Sequence, residues 1–267
     1  MQRVLKRRRE DRGSEEECEE EECAYDDVPS HYWNRRRSLF SRFDDGIQLD
    51  KSLFSMVMNL VCVSFRLCDG IVACLSVLGM WYSVTPEKIA IHHAERFKGK
   101  TIVLDAFAGA GGNAIQFALR KDISFVLGVE CVFSRARQCR NNARVYSAHK
   151  RLDVICADSL TLVRSLRPVV DAVFLSPPWG GPKYKTFNPF PLDSMNPDGF
   201  EVFRASSALT LSLAYYIPLH TDVKHVYKLL EMTETKNKTC EIEFNHVDGR
   251  PLTVTLYFGD LVQVHDR

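Results

Sequence analysis

The chain has 267 residues, of which 45% are hydrophobic and 26% charged. This composition suits one sizeable domain with an appendage, or two small domains, and it excludes global disorder. Lys and Arg number 35 against 34 Asp and Glu, so any binding of nucleic acid must use a local site and not bulk charge. Nine cysteines without a CxxC pair argue against a disulfide scaffold and a structural zinc site, and they indicate a reducing compartment.

The first 30 residues divide into a basic block at 6–9 and an acidic block at 15–22. Such blocks bury little apolar area, so we predict a disordered charged tail over residues 1–30. The basic block is either a nuclear-localisation patch or simply part of a solvated tail.

Residues 31–50 interleave aromatic side chains with arginines. This pattern fits a surface that stacks on bases and contacts phosphates. It fits equally well a short helix that packs on a core while its arginines stay in solvent.

Residues 51–80 form an apolar island, which Arg66 and Asp69 split into two runs. Each run is shorter than the roughly 20 residues that span a bilayer. The island is a buried helical hairpin, a membrane tether, or a stretch that is not native protein, such as a translated intron or a mis-assembled gene model.

From residue 101, apolar runs alternate with helical patterns. Strands are predicted at 101–107, 124–130, 152–157, 169–175 and 214–218, and helices at 113–120, 134–146, 200–212 and 225–232. Two alternating runs at 240–247 and 252–258 flank a predicted turn at 248–251 and indicate a hairpin. Repeated βα units followed by a hairpin predict an α/β fold, a doubly wound and mostly parallel sheet with an antiparallel C-terminal edge.

A glycine-rich turn, DAFAGAGGN at 105–113, follows the first predicted strand and begins a helix. Dinucleotide sites and S-adenosylmethionine (SAM) sites share such a turn, because glycines let the backbone approach a ligand closely. The turn lacks the Lys-Ser/Thr of a nucleoside triphosphatase. Asp105 would repel a pyrophosphate but favours the cationic methionyl part of SAM. A tight turn without a ligand is the alternative.

Two more carboxylates follow the next predicted strands. Glu130 ends the second strand, where it can accept hydrogen bonds from both ribose hydroxyls. Asp158 follows the third strand and can accept from an adenine amine. Either residue alone fits a solvated strand end, but together with the glycine turn they predict a cofactor site.

The segment SPPWGGP at 176–182 follows the fourth predicted strand. Two prolines stiffen the turn and leave carbonyl groups unpaired. Those carbonyls and the Ser176 oxygen can accept hydrogen bonds from a planar amine, and Trp179 offers a face on which a base stacks. In combination with the SAM-like glycine turn, this segment predicts methylation of an amino group.

These motifs resemble the trimethylguanosine synthases, enzymes that hypermethylate RNA caps. The similar stretches are LFSRFDDGI (39–47), WYSVTPEKIA (81–90), DAFAGAGGNAIQFAL (105–119), RNNARVY (140–146), VFLSPPWGGPKY (173–184), PDGFEVF (197–203) and YFGDL (257–261). The resemblance implies a Rossmann-like class I SAM-dependent methyltransferase core at 99–267 and an N-terminal helical cap at 31–98. It also implies transfer of methyl groups from SAM to the exocyclic N2 of the 7-methylguanosine cap of small nuclear and nucleolar RNAs, forming 2,2,7-trimethylguanosine.

The resemblance also implies the site residues. Trp179 stacks the base, Ser176 and Pro177 orient N2, and Asn142 and Lys183 contact the substrate; SAM is held by Asp105, Gly109, Asn113, Glu130 and Asp158, while Phe40 and Thr85 close over it. It implies no metal and no membrane. It further implies a monomer that works on capped RNA together with small ribonucleoprotein proteins. The implied location is the nucleus, including the nucleolus or Cajal body, and also the cytoplasm.

The chain departs from the family in three places. Residues 51–80 separate two motifs that the family joins closely, and the family's Glu before Gly-Trp has no counterpart beside Trp81. Leu219 stands where the family has an Arg that reaches toward the cap, so Lys183, Lys185 and His220 are candidates to replace it. Val132 replaces a second acidic residue near the cofactor.

Two other functions fit the same motifs. One is an amino-methyltransferase that acts on other RNA guanines or adenines, since these enzymes share the Pro-Pro-aromatic turn. The other is an inactive module that binds the cap or SAM, if the insertion at 51–80 disconnects the cap from the core.

Overall fold

The computed structural model describes residues 28, 30–49, 81, 83–166, 169–234 and 238–263. The predictions for the apolar island at 51–80 and for nearly all of the charged tail at 1–30 lie outside these residues. Within them, no helix has the length and hydropathy needed to cross a membrane.

Helices and strands alternate through the described chain. The α-helices are α1 (Ser30–Trp33), α2 (Arg36–Leu39), α3 (Glu87–Arg96), α4 (Gly112–Leu119), α5 (Phe133–Val145), α6 (Ser159–Ser165), α7 (Gly199–Ser207) and α8 (Val223–Glu231). The strands are β1 (Ile102–Asp105), β2 (Phe125–Glu130), β3 (Leu152–Cys156), β4 (Ala172–Leu175), β5 (Leu213–Pro218), β6 (Cys240–Val247) and β7 (Arg250–Phe258). Short 3-10 helices lie at Phe43–Asp45, Gly181–Thr186, Leu192–Ser194 and Gly259–Leu261.

The strands form one sheet in the order β3-β2-β1-β4-β5-β7-β6. Strands β3, β2, β1, β4 and β5 run parallel to one another, and β7 runs antiparallel to both β5 and β6. The chain winds outward from β1 to β3 and then returns to β4 on the other side of β1. This point between β1 and β4 is where open α/β sheets bind ligands. The prediction of a doubly wound sheet with an antiparallel C-terminal edge is confirmed.

Two hydrophobic layers cover the two faces of the sheet. One contains α3, α4, α5 and the N-terminal segments, and the other contains α6, α7 and α8. Because both faces are covered, the central strand β4 is apolar throughout, and all four of its residues are buried.

Several predicted boundaries shift, for local reasons. The helix predicted to reach residue 212 ends at Ser207, and residues 208–212 lead into β5, where the Ser212 carbonyl accepts a hydrogen bond from Val173 of β4. The predicted turn at 248–251 narrows to Asp248 and Gly249, whose φ angles are 51° and 75°. Such positive angles suit a two-residue hairpin turn, and the next two residues therefore belong to β7.

The N-terminal segment packs on the core although 31 residues separate its last described residue from Trp81. Phe43 lies 5.4 Å from the ring of Trp81, and the backbone N–H of Ser41 donates to Glu87 of α3 at 2.6 Å. The Arg36 guanidinium lies over Trp33 at 4.4 Å. Of the two interpretations of residues 31–50, helices packed on a core with arginines at the surface match this arrangement.

Candidate active site

The glycine turn connects β1 to α4 at the carboxyl edge of the sheet. Gly111 has φ 95°, and a Cβ atom there would lie 2.9 Å from the Cys139 sulfur, so glycine is required both by conformation and by space. A Cβ on Gly112 would lie 3.5 Å from the Thr85 carbonyl oxygen. The segment around Thr85 therefore packs directly on the turn, and its predicted closure over the cofactor stays a prediction.

Asp105 ends β1 and is 1% exposed. One carboxylate oxygen accepts a hydrogen bond from the Phe107 N–H at 3.2 Å, whereas the other has no partner within the described part of the chain. Burial raises the pKa of Asp105 to about 7, although N–H groups of Phe107 and Ala114 lower it. An orphaned, buried carboxylate oxygen matches a cationic ligand group, and the methionyl end of SAM fits this requirement.

Glu130, at the end of β2, holds the neighbouring backbone in place. Its carboxylate accepts hydrogen bonds from Gly109 N–H at 3.1 Å and from Val132 N–H at 2.9 Å. A carboxylate has about four lone-pair sites, so acceptor capacity remains for ribose hydroxyls. The apolar side chain of Val132 cannot add negative charge there, but its backbone N–H orients Glu130.

Asp158 caps helix α6. Its side chain accepts a hydrogen bond from the Thr161 N–H at 2.8 Å, and hydrogen bonds from Thr161 lower its pKa. The residue is exposed at the carboxyl end of β3. Its predicted contact with adenine stays a prediction, since the capping role alone accounts for an Asp at this position.

Asn113 and Thr85 form a buried pair beside the glycine turn. The Asn113 amide donates to the Thr85 hydroxyl at 2.8 Å, which joins the first turn of α4 to the segment before α3. Phe40, also predicted at the cofactor, is fully buried against Tyr146 at 6.2 Å between ring centroids.

Asn142 ties the N-terminal segment to the glycine turn. Its amide nitrogen donates to the carbonyls of Gln48 and Ala110 at 2.9 and 3.0 Å, and its oxygen accepts from the Gln48 N–H at 2.7 Å. The side chain is fully buried, and in this arrangement it has no N–H left for a guanine. Its predicted contact with the guanine edge stays a prediction that this arrangement does not favour.

The Pro-Pro segment forms a corner after β4, next to the glycine turn. Asp105 and Phe174 are register partners on β1 and β4, and the Ser176 hydroxyl lies 3.4 Å from the Phe107 carbonyl oxygen. The Trp179 ring is half-buried, 5.4 Å from the rings of both Tyr184 and Tyr216.

Lys183, the predicted substrate contact, is exposed on the 3-10 helix Gly181–Thr186. Leu219 packs against the second hydrophobic layer. His220 stacks on Tyr184 at 5.6 Å and its ring nitrogen lies 3.1 Å from the Tyr184 carbonyl oxygen.

Sequence reasoning missed Tyr216 and His93. Tyr216 lies inside a predicted apolar strand, and its ring contacts Trp179 from β5. His93 lies on α3 and contacts Asn113 at 3.0 Å. Both are polar residues on an otherwise apolar strand or helix face, which marks them as candidates for a buried contact. The pattern alone does not say which residue each one contacts.

The sheet order, the glycine turn with its buried acid, and the Pro-Pro-aromatic corner beside it define a class I SAM-dependent methyltransferase. A model of the family described as RNA cap guanine-N2 methyltransferase matches residues 100–261. The chain belongs to this family, and its activity is SAM-dependent methylation of a cap guanine.

Two curated relatives carry the name trimethylguanosine synthase. The protein of Schizosaccharomyces pombe is 34% identical over 203 residues, which are 73% of this chain and 72% of that protein. The protein of Saccharomyces cerevisiae is 27% identical over 243 residues, 86% of this chain and 67% of that one. Among solved structures, the N-terminal domain of EvdMO1 with SAH bound is 14% identical, with a TM-score of 0.45 over 68% of this chain and 83% of that one.

Proposed function

We propose that this chain methylates the exocyclic N2 of the 7-methylguanosine cap on small nuclear and nucleolar RNAs, and that it forms 2,2,7-trimethylguanosine. The observation that carries the proposal is the position of Trp179. This half-buried indole lies in the corner after β4, the strand beside the one that ends in Asp105. Cofactor and acceptor sites on neighbouring strand ends bring a methyl donor and a planar base close together.

SAM supplies a methyl group on a positively charged sulfur. In this proposal Asp105 complements the cationic methionyl part, and Glu130 accepts from the ribose, with Gly109 and Asn113 at the turn between them. Thr85 and Phe40 cover the site, and Asp158 contacts the adenine. The unpartnered oxygen of Asp105 supports its assignment most directly.

The acceptor side needs no strong protein base. The 7-methyl group makes the guanine ring cationic, so stacking on Trp179 gains a cation–π component over unmethylated guanine. The same charge makes N1 more acidic, and loss of that proton enriches N2 in electrons. Ser176 and the carbonyl of Pro177 then orient N2, and most of the rate enhancement comes from in-line placement against the methyl group.

Anchoring of the cap phosphates must differ from that in the family, because Leu219 replaces an arginine. We assign this role to Lys183. It is exposed on the short 3-10 helix Gly181–Thr186 and follows Trp179 by four residues in the chain. Lys185 lies on that helix too and adds to the same positive charge.

The remaining parts of the proposal concern the whole molecule. We propose that residues 31–98 form the cap domain and 99–267 the core, that the protein works as a monomer in the nucleus, and that small ribonucleoprotein proteins present its capped RNAs. The basic block at 6–9 supports nuclear import.

The decisive experiment compares 7-methylguanosine triphosphate with guanosine triphosphate as methyl acceptors for the full chain. We expect transfer to the first and little to the second, because only the first is cationic. Equal transfer to both would exclude the cap assignment and favour another RNA amino-methyltransferase. Calorimetric binding of SAM and cap analogue without turnover would instead favour an inactive module, against which the packing of Phe43 on Trp81 argues.

A further inference from the structure

A buried histidine on α3 lies between the proposed cofactor site and the C-terminal hairpin. His93 is fully buried, and both of its ring nitrogens have polar partners. Nδ1 lies 3.0 Å from the Asn113 amide oxygen, and Nε2 lies 2.9 Å from the hydroxyl of Thr255, 162 residues further along the chain. A buried imidazole with two side-chain partners fixes the orientation of each.

The directions of the hydrogen bonds in this chain of contacts follow from the Asn113 amide. Its oxygen can only accept, so the neutral His93 ring carries its proton on Nδ1 and donates it there. Nε2 then accepts from the Thr255 hydroxyl, whose oxygen accepts from the Asn245 amide at 2.8 Å. Asn113 in turn directs its N–H to Thr85 at 2.8 Å.

The outcome is a fixed Thr85 side chain at the glycine turn. Its hydroxyl oxygen accepts from Asn113, its hydroxyl hydrogen is directed to the phenol oxygen of Tyr216, and its backbone packs on Gly112. Without the Nδ1–H donor, the Asn113 amide could rotate by 180° and present its oxygen to Thr85. The Thr85 hydrogen would then point back to Asn113.

The ring of His93 also contacts the acceptor side. It lies 5.2 Å from Tyr216, edge to face, and Tyr216 lies 5.4 Å from Trp179. Burial lowers the pKa of His93 to about 4, so the ring is neutral at physiological pH and keeps one donor and one acceptor nitrogen.

We propose that His93 is a positioning residue for cofactor binding, whose Nδ1–H fixes the Asn113 amide and, through it, the Thr85 side chain at the glycine turn. The inference rests on the proposed cofactor roles of Asn113 and Thr85. It assigns a function to a residue that touches neither cofactor nor substrate itself.

Two conservative variants of the whole chain separate the two ends of the imidazole. In His93→Asn, the shorter amide places an N–H near the position of Nδ1 and preserves the donor to Asn113. In His93→Gln, the longer amide reaches the position of Nε2, preserves the contact with Thr255 and loses the donor to Asn113. Calorimetry with S-adenosylhomocysteine as probe should give near-normal affinity for the Asn variant and about tenfold weaker binding for the Gln variant.

Kinetics and a neighbouring control distinguish positioning from packing. For His93→Gln we expect KM for SAM to rise about tenfold, with KM for 7-methylguanosine triphosphate within about twofold of the wild-type value. His92→Gln, a change at the adjacent half-exposed residue that contacts Glu243, should leave both KM values unchanged. A purely structural role would lower Tm in both His93 variants while the affinity for S-adenosylhomocysteine stayed normal, and that result would overturn the proposal.

A double-mutant cycle tests whether His93 acts through Asn113. If it does, His93→Gln should weaken binding far less in an Asn113→Ala background than in the wild type. Additive effects would overturn the proposal. Normal binding in Asn113→Ala itself would mean instead that the cofactor site is wrongly assigned. Should His93→Gln not fold, Thr255→Val and Thr255→Ser replace it: only Val removes the donor to Nε2, so only Val should weaken binding.

Discussion

The indole ring of Trp179 lies 5.4 Å from the phenol ring of Tyr216, with an angle of 42° between the planes. Trp179 comes from the loop after β4, and Tyr216 is buried in β5, the next strand of the sheet. Since Tyr184 contacts the indole at 5.4 Å as well, the loop tryptophan packs against two aromatic side chains. A stacking surface fixed in advance loses little conformational entropy when a base binds.

The first prediction concerns Trp179. Trp179→Ala should lower kcat/KM for 7-methylguanosine triphosphate by about 10- to 100-fold or more, because base stacking on an aromatic side chain contributes about 1–3 kcal/mol. The affinity for S-adenosylhomocysteine, measured by calorimetry, should change by less than about twofold, since the indole is proposed to contact only the base. Trp179→Phe is the matched variant and should retain part of the activity. Near-normal turnover of Trp179→Ala would show that the base stacks elsewhere.

A second prediction concerns the pH dependence of cofactor binding. The pKa of Asp105 is raised to about 7 in the folded protein, so the carboxylate gains its charge as the pH rises through 7. A cationic ligand binds the charged form better, and SAM affinity should therefore rise with pH up to about 7 and level off above it. Asp105→Asn should bind SAM weakly at every pH. Calorimetry in buffers of different ionisation enthalpy would detect the released proton, and a flat affinity profile for the wild type would contradict this assignment.

Asp105 and His93 should act oppositely on the stability of the ligand-free protein. Burial raises the pKa of Asp105 from 3.8 to about 7. The contribution of Asp105 to the free energy of unfolding is therefore fully present below pH 4 and is lost as the pH rises through 7. The His93 pKa is lowered by burial to about 4 from 6.5, so its contribution is present above pH 6.5 and is lost as the pH falls through 4.

Between about pH 4 and 6.5 the two groups change the free energy of unfolding in opposite directions as the pH rises, so their effects cancel in part. Denaturant unfolding across this range should show that Asp105→Asn makes stability rise more steeply with pH, whereas His93→Asn makes it fall with pH. Identical pH profiles for wild type and both variants would mean that neither group titrates with a shifted pKa.

The glycine turn permits a matched test of steric fit. Gly111→Ala forces a Cβ atom to within 2.9 Å of the Cys139 sulfur at φ 95°, whereas Gly99→Ala has a similar φ of 81° and open space. The left-handed conformation costs each variant about 1–2 kcal/mol, so only the additional loss in Gly111→Ala reports the clash. Thermal unfolding should show a larger drop in Tm for Gly111→Ala, together with weaker SAM binding. Equal drops would show that the turn relaxes around the new methyl group.

Much of the fold follows from local patterns that a sequence shows directly. The hairpin strand Cys240–Val247 was predicted with its observed bounds, because alternation of apolar and polar residues and an Asp-Gly turn are properties of neighbouring residues. The positions of Asp105 and Glu130 at strand ends follow for the same reason. In parallel sheets successive strand ends meet at one edge, so their side chains were expected to converge there.

The tertiary structure alone decided what each buried polar side chain meets. Asn142 lies in one of the stretches that resemble the family, but its amide N–H donates to the backbone carbonyl of Gln48, 94 residues earlier. His93 meets a partner 162 residues away. The chain's periodicity says which face of a helix is buried, whereas the partner depends on which other element covers that face. That choice is set by the packing of the whole sheet, and no short stretch of sequence contains it.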